Sequence, residues 1–338
     1  MKLFRALFLT TGSLLIAGLT AAAHAETVDC TPVTSLPATI DTQGIYCLTG
    51  NLATAQTSGN AITITANNVT LDLNGWKVGG QAAGTATAAN GIYSTANNVT
   101  IKNGIVRGFH YGIYLGGRGS VVQDMLVDNN TEDGIYVTGS GAVIEHNQVI
   151  DTGGSTLSSN MYARGILANG NGSRVSDNTV SGVTSSGTAS ALGIVLGSSD
   201  GTIRDNVVSN AAKPTGGGGS YGIYQYQNIV VNNTVSNFNY CIYSSSAGIY
   251  AHNTVYNCTT NYVGGTAGAG NSPLCGNQVT RHPRPCAGVF LCVVFPVGKA
   301  RACRSGLRPH SSQLVGSAGR YTMTQPFLCA GLSWEPSM

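Results

Sequence analysis

Four side chains able to bind a hard cation or move a proton recur at one kind of position. Asp124, His146, Asp177 and Asp205 each stand one residue before an aligned x-x-Val step, with Glu145 and Arg204 one residue earlier still. If those steps stack, neighbouring members lie about 5 Å apart. That is close enough for two carboxylates to share Ca²⁺, or for one of them to hold its proton above the ordinary range. Asp124, Glu145, His146, Asp177 and Asp205 are therefore the metal candidates. The same slot carries Asn74, Asn103 and Asn232 elsewhere, as expected of a solvent-facing turn whose Asp or Asn bonds its own backbone.

A second set is aromatic. Tyr93, Tyr114, Tyr136, Tyr224 and Tyr243 each end a Gly-Ile-Tyr or Cys-Ile-Tyr step, with Leu167 and Val195 in the same place in between. A line of such rings offers the flat faces that meet the apolar face of a pyranose. Tyr also suits a half-exposed sheet surface on its own account. Arg107, Arg118 and Arg164, with His110 and Lys213, are the cations near these steps. They are the groups available to neutralise a uronate carboxylate or, after a pKa shift, to take its α-proton.

These residues need an element that repeats. The steps begin at Ala61, Gly91, Gly112, Gly134, Gly165, Gly193, Gly222 and Cys241, at intervals of 30, 21, 22, 31, 28, 29 and 19 residues. Self-similarity at this period predicts a solenoid. Alternation with period 2 puts Ile113 and Leu115 on one face, with Ile135 and Val137 above them and Ile166, Ile194, Ile223 and Ile242 continuing the column. A single coil buries about four to six such side chains at roughly 1.5–3 kcal/mol each, no more than the cost of ordering its backbone. Stacking supplies the stability. Asn147, Asn178, Asn206, Asn233 and Asn253 recur just before x-Val, with Gly75 and Gly104 in the corresponding place. Exchange of Asn with Gly predicts a left-handed corner there, and stacked Asn amides can hydrogen-bond up the column. Met125 interrupts this ladder and predicts a local distortion.

Composition divides the chain of 338 residues. Residues 1–25 carry Lys2 and Arg5, an apolar run from Leu7 to Leu19, and Ala23-His24-Ala25, the pattern of a secretion signal cleaved near Ala25 and too short for a stable membrane anchor. Residues 26–60 read as an N-terminal cap and first strands, 61–265 as the solenoid, and 266–280 as a C-terminal cap. Caps covering the end strands disfavour end-to-end stacking and predict a monomer. Residues 281–338 lack Asn, are rich in Cys, Pro and Arg, and read as an irregular tail foreign to the fold. Residues 26–280 hold eight Lys or Arg against thirteen Asp or Glu, a net of −5, which excludes a nucleic-acid partner. It also favours a neutral or Ca²⁺-bridged glycan over a bare polyanion. Cys30 and Cys47 bracket the first cap; Cys241, Cys258 and Cys275 allow one further pair and one thiol, with the pairing open.

Stacked Ile columns, the Asn ladder, the secretion signal and coils of about 21 residues resemble the right-handed parallel β-helix proteins of the pectate-lyase-like superfamily. The match covers roughly residues 45–265, and Ile40 to Leu52 with Asn60-Ala61-Ile62-Thr63-Ile64 resembles the first coils of exported bacterial members without an assigned function. The resemblance implies an all-β, single-stranded right-handed parallel β-helix of about eight or more coils, on the order of 40 Å long. It also implies a secreted or periplasmic protein with polysaccharide as partner. The superfamily's enzymes are lyases, hydrolases and epimerases, yet the chain has no Asp-Asp pair, no Gly-His-Gly and no Asp-Pro-His-Asp. Three functions stand: binding or processing of polysaccharide along the Tyr face, a non-catalytic structural or display rod, and a periplasmic copper accessory protein. The last has only His110, His146 and His252 to work with, and His146 and His252 lie about four coils, roughly 20 Å, apart.

Overall fold

The structure, a computed structural model, describes residues 29–214, 218–274, 291–294 and 301–304. It divides into two units, Met1–Cys286 and Ala287–Met338. In the second, Leu291–Val294 pairs antiparallel with Arg301–Arg304; the rest of the Cys/Pro/Arg-rich tail, the secretion signal and Cys275 lie outside the described residues.

The first unit is a right-handed parallel β-helix of three sheets. Its first sheet stacks Ala38–Ile40, Asn60–Ile64, Asn90–Ser94, Tyr111–Leu115, Asp133–Val137, Ala163–Ala168, the starts of Ala191–Arg204 and Ser220–Val231, Tyr240–Ser244 and Thr260–Val263, all parallel. The second sheet runs from Thr31–Val33 and Gly44–Leu48 to Thr266–Ala267, the third from Leu52–Ala53 to Ser272–Leu274. The core is a set of single-residue columns. Ile62, Ile92, Ile113, Ile135, Ile166, Ile194, Ile223 and Ile242 are all fully buried in the first sheet, and Val106, Val127, Val149, Val180, Val208, Val235 and Val255 in the third. No coil owns a core of its own; each Ile packs between those above and below, as the Ile and Val spacing implied.

The left-handed corner falls one residue earlier than the Asn and Gly exchange predicts. Asn74, Asn103, Asp124, His146, Asp177, Asp205, Asn232 and His252 have φ between 49° and 59°, whereas the ladder residues Asn147, Asn178, Asn206, Asn233 and Asn253 do not have positive φ. The physical reason is division of labour. The corner residue turns the chain and points its short polar side chain outward, and the next residue points inward, where only an amide satisfies the backbone exposed by the turn. The ladder also reaches further than expected, since Asn253 donates to Asn271 Oδ1 at 3.1 Å. At its other end Met125 causes no distortion. Val121–Asp128 pairs with Val99–Arg107 at one unbroken register, Met125 beside Gly104, and the Met125 N–H donates to Asn147 Oδ1 at 3.1 Å. The side chain is 2% exposed and joins the core, and the space beside Gly104 is filled by Leu73 of the preceding coil.

The solenoid outruns the boundaries drawn from its repeat. Thr31–Val33 already pairs with Tyr46–Leu48, and Ser272–Leu274 pairs with Thr254–Tyr256 beyond residue 265. Parallel pairing needs only backbone, so the end coils keep the ladder after losing the Gly-Ile-Tyr pattern. Both terminal strands contain a proline, Pro32 and Pro273, which lacks a ladder donor and belongs at a sheet edge. Disulfides close each end: Cys30–Cys47 and Cys241–Cys258, both spanning 17 residues, each loop contributing about 3 kcal/mol in the chain-entropy account. Cys241 is fully buried as well as bonded. Among the described residues no helix is long and apolar enough to cross a membrane.

Candidate functional site

The first sheet presents two outward columns side by side. One is the Tyr column, with Tyr93, Tyr114, Tyr136, Leu167, Val195, Tyr224 and Tyr243 in direct register. The other is made by the residue before each glycine, or before Cys241 in the last of these coils: Tyr111, Asp133, Arg164, Leu192, Tyr221 and Tyr240. The two residues between them, Gly-Ile or Cys-Ile, are buried, and the side chains on either side leave on the same face. Two aromatic platforms result. Tyr93 and Tyr114 stack at 5.0 Å, and Tyr136 meets Tyr114 edge-on at 5.0 Å and Tyr111 at 5.6 Å. In the later coils Tyr221 stacks on Tyr240 at 5.0 Å and Tyr224 on Tyr243 at 5.2 Å. Leu167, Leu192 and Val195, packed against Tyr136, Tyr221 and Tyr224, join the two.

Insertions flank this face and bond to one another across coils. The Thr156 N–H donates to Thr85 O at 3.1 Å, the Ser155 N–H to Thr131 O at 3.1 Å, the Thr188 N–H to Asn160 Oδ1 at 2.8 Å, and Ser190 Oγ to Gly218 O at 2.7 Å. Loops from separate coils thus form a connected wall beside the column that contains Asp133 and Arg164.

At the foot of the first platform lies a charged cluster. Arg164 donates from Nε to Asp133 Oδ1 at 2.5 Å, and from Nη2 to Asp133 Oδ2 and Glu132 Oε1, both at 2.9 Å. His110 Nε2 sits 3.0 Å from Glu132 Oε2, and its ring stacks on Tyr111 at 4.4 Å. The Arg164 guanidinium carbon is 5.8 Å from the ring centres of both Tyr136 and the half-exposed Tyr162. Asp133 is fully buried, and burial pushes its carboxyl up to about 6 against the pull of Arg164. Burial alone would lower the Arg164 pKa, but the Asp133 and Glu132 charges outweigh it and raise the guanidinium further. Tyr111 is pushed up to about 12, by burial first and then by Glu132 and Asp133, and burial raises Tyr136 and Tyr221 too. These phenols keep their protons and remain hydrogen-bond donors at neutral pH.

The Asp133 shift has a consequence for stability. A carboxyl held near 6, against an ordinary 3.8, binds its proton more tightly folded than unfolded. Its contribution is fully present below about pH 4 and lost as pH rises through about 6. Relative to Asp133→Asn, the wild type should lose on the order of 3 kcal/mol of unfolding free energy across that window. Denaturant titrations of both proteins from about pH 4 to about pH 7 measure it; a difference that does not change with pH would contradict the shift.

The other candidates lie elsewhere. Arg107 is on the third sheet, bonded to Asp128 at 2.8 Å. Arg118 lines an open cleft of about 480 Å³ with Asn97, Asn98, Gly119, Ser140 and Gly141, at the corner beyond the Tyr strand. Asp124, His146, Asp177 and Asp205 occupy the left-handed corner between the second and third sheets, one coil apart. Three of the four carboxylates there have a contact of their own: Glu145 with Arg174 at 3.2 Å, Asp205 with Arg204 at 2.7 Å, and Asp124 with Gln123 at 3.2 Å. Among the described residues no three His, Cys, Asp or Glu are grouped as a metal site. Of the cations singled out, Arg164 and His110 join the Tyr face. Tyr111, Tyr221, Tyr240, Glu132 and Asp133 were not anticipated; the signal for the three tyrosines and Asp133 was the residue three before each Tyr-column position, ahead of the glycine or, at Tyr240, of Cys241.

The family described as "Right handed beta helix region" matches residues 90–260, half of the chain. No curated protein matches by sequence. Among solved structures, the Dettilon tailspike protein superposes with a TM-score of 0.51 at 16% identity, covering 72% of this chain and 54% of the tailspike. The chain thus spans about half the length of that protein. Pectate lyase Pel9A aligns with a TM-score of 0.40 at 14% identity over 73% of this chain and 71% of its own. Endopolygalacturonase I from Stereum purpureum, complexed with two galacturonates, aligns with a TM-score of 0.42 at 13% identity over 72% and 92%.

Proposed function

The chain belongs to the right-handed β-helix family, and we propose that it is an exported protein that binds polysaccharide along the Tyr-bearing face of its first sheet. A shared fold does not fix a function, so the face carries the reading. The supporting observation is the pair of outward columns, which align eight tyrosines in two platforms. Successive platform members rise by about 4.8 Å, a coil at a time, a spacing on the scale of one sugar residue. Phenols with raised pKa values offer donors beside the ring faces, and the bonded loops wall one side. Export is supported by the secretion-signal pattern of residues 1–25 and by two disulfides, which suit an oxidising compartment.

Binding is favoured over cleavage. The acidic pair of the face, Glu132 and Asp133, is spent on Arg164 and His110, and Asp133 has no surface from which to reach a glycosidic oxygen. The test is a polysaccharide-binding and depolymerisation screen of wild type and the Tyr114→Ala/Tyr136→Ala double variant. Two rings at about 1–1.5 kcal/mol each predict a loss of roughly 30–150-fold in affinity, with no reducing ends released. A folded wild type that retains no glycan, or a double variant that binds equally well, would remove the reading.

A further inference from the structure

The tyrosine columns hold one cation, and that cation has already been used. Along the two outward columns, from Asn60 and Thr63 to Thr260 and Val263, the charged residues are Asp133 and Arg164 alone. Arg164 gives two donors to Asp133 and shares one of them with Glu132, so the two carboxylates outnumber the guanidinium they hold. The neighbouring imidazole of His110 stacks on Tyr111 and turns its Nε2 to the second Glu132 oxygen. Arg118, at the far corner, and Lys213, in the loop after Asn210, stand off both columns. Arg107, Arg174, Arg204 and Lys102 are engaged by acids on the other sheets.

We propose that the face selects neutral glycans and rejects polyuronates, because the aromatic platforms are joined by a cluster whose cation is neutralised in excess by Glu132 and Asp133. This rests on the polysaccharide-binding reading. A uronate laid across Tyr136 would bring its carboxylate toward Arg164 and find both nearby acids already there. Its charge would lose water and gain a like-charged neighbour, and juxtaposed like charges discriminate strongly against the wrong partner. A neutral sugar loses nothing by the same placement, since ring faces and phenol hydroxyls supply its contacts.

The experiment is an affinity comparison of the full-length protein on a neutral glucan, a neutral galactan and polygalacturonate, in chelator, at low and at high salt. Polygalacturonate should bind at least about tenfold more weakly than the better neutral polymer at low salt, and the gap should narrow as salt screens the repulsion. Glu132→Gln should raise the polygalacturonate-to-neutral affinity ratio by about tenfold. The wild-type comparison stands alone if that variant does not fold. Preference for polygalacturonate, polygalacturonate binding that tightens as salt falls, restoration of that binding by Ca²⁺, or an unchanged ratio in a folded Glu132→Gln protein would each overturn the proposal while leaving glycan binding intact. Absence of binding to all three polymers would remove the polysaccharide reading and this inference together.

Discussion

Replacing Asn206 by Ala should cost about 3–5 kcal/mol of stability, while Asp205→Gly, one residue away, should change it by less than about 1 kcal/mol. Asn206 is 1% exposed and sits in the middle of the ladder. Its Oδ1 accepts from the Asn178 N–H at 2.9 Å and from Asn178 Nδ2 at 3.0 Å; its Nδ2 faces Val175 O, Arg204 O and Asn233 Oδ1 at 2.9–3.0 Å. Truncation removes this side-chain partner from the Asn178 backbone N–H and the Val175 and Arg204 carbonyls, whereas Asn178 Nδ2 keeps Ile144 O and Ser176 O, and Asn233 Oδ1 keeps the Asn206 N–H. Each orphaned group costs about 1–3 kcal/mol, less whatever relaxation recovers. Because every rung polarises the next, the gap also weakens Asn178 and Asn233. Asp205, with φ of 58° and its carboxylate at the surface beside Arg204, holds a conformation that glycine adopts freely. Urea denaturation of the two variants beside wild type decides the matter. Equal losses at 205 and 206 would mean that corner geometry, rather than the amide ladder, holds the coils together.

The contrast between those neighbours also shows what the sequence could reveal. The Ile columns and the Tyr column were legible because period-2 alternation leaves a fixed residue type in a fixed slot, whatever the loop lengths between coils. The ladder was legible too, but its corner was misplaced by one residue. Asn tolerates a left-handed backbone and also carries an amide, so Asn232-Asn233 gives no sign of which property each position uses. The replacements do: Asp124, His146, Asp177 and Asp205 share outward polarity, and none could fill an inward amide slot. The cluster of Glu132, Asp133, Arg164 and His110 was hidden for another reason. His110 and Arg164 lie 22 or more and 31 or more residues from the adjacent Glu132-Asp133 pair, and coils of unequal length obscure which residues share a column until the glycines are aligned. The choice among Cys241, Cys258 and Cys275 was not legible, because equal intervals of 17 residues give spacing no preference. The solenoid's ends were lost because terminal repeats depart from the pattern that identifies the rest.

Gly134→Ala should be as damaging as loss of a ladder amide, about 3 kcal/mol or more, and should take the tyrosine face with it. A Cβ at Gly134 would lie 2.6 Å from Gly165 O and 2.5 Å from Val149 Cγ1. The same contact recurs up the stack: Gly91 against Gly112 O, Gly112 against Gly134 O, Gly165 against Gly193 O and Gly193 against Gly222 O, all between 2.5 and 2.7 Å. A side-chain tip could rotate away, but a carbonyl oxygen belongs to the next coil's backbone and moves only if the coils part. The recurring glycine is therefore a condition of stacking, independent of turn propensity, since none of these five has a positive φ. It is equally a condition of the face, because Asp133 and Tyr136 leave the sheet on either side of Gly134 and their register with Arg164 and Leu167 depends on that approach. Gly50→Ala, whose Cβ would meet nothing within 4 Å, is the control and should fall within about 0.5 kcal/mol of wild type. Thermal unfolding, read together with near-ultraviolet dichroism of the stacked tyrosines, should show a lowered midpoint and altered ring signal for Gly134→Ala alone. A Gly134→Ala protein with wild-type stability and ring signal would mean that neighbouring coils can separate at little cost, which would also undo the close aromatic spacing on which the proposed binding face depends.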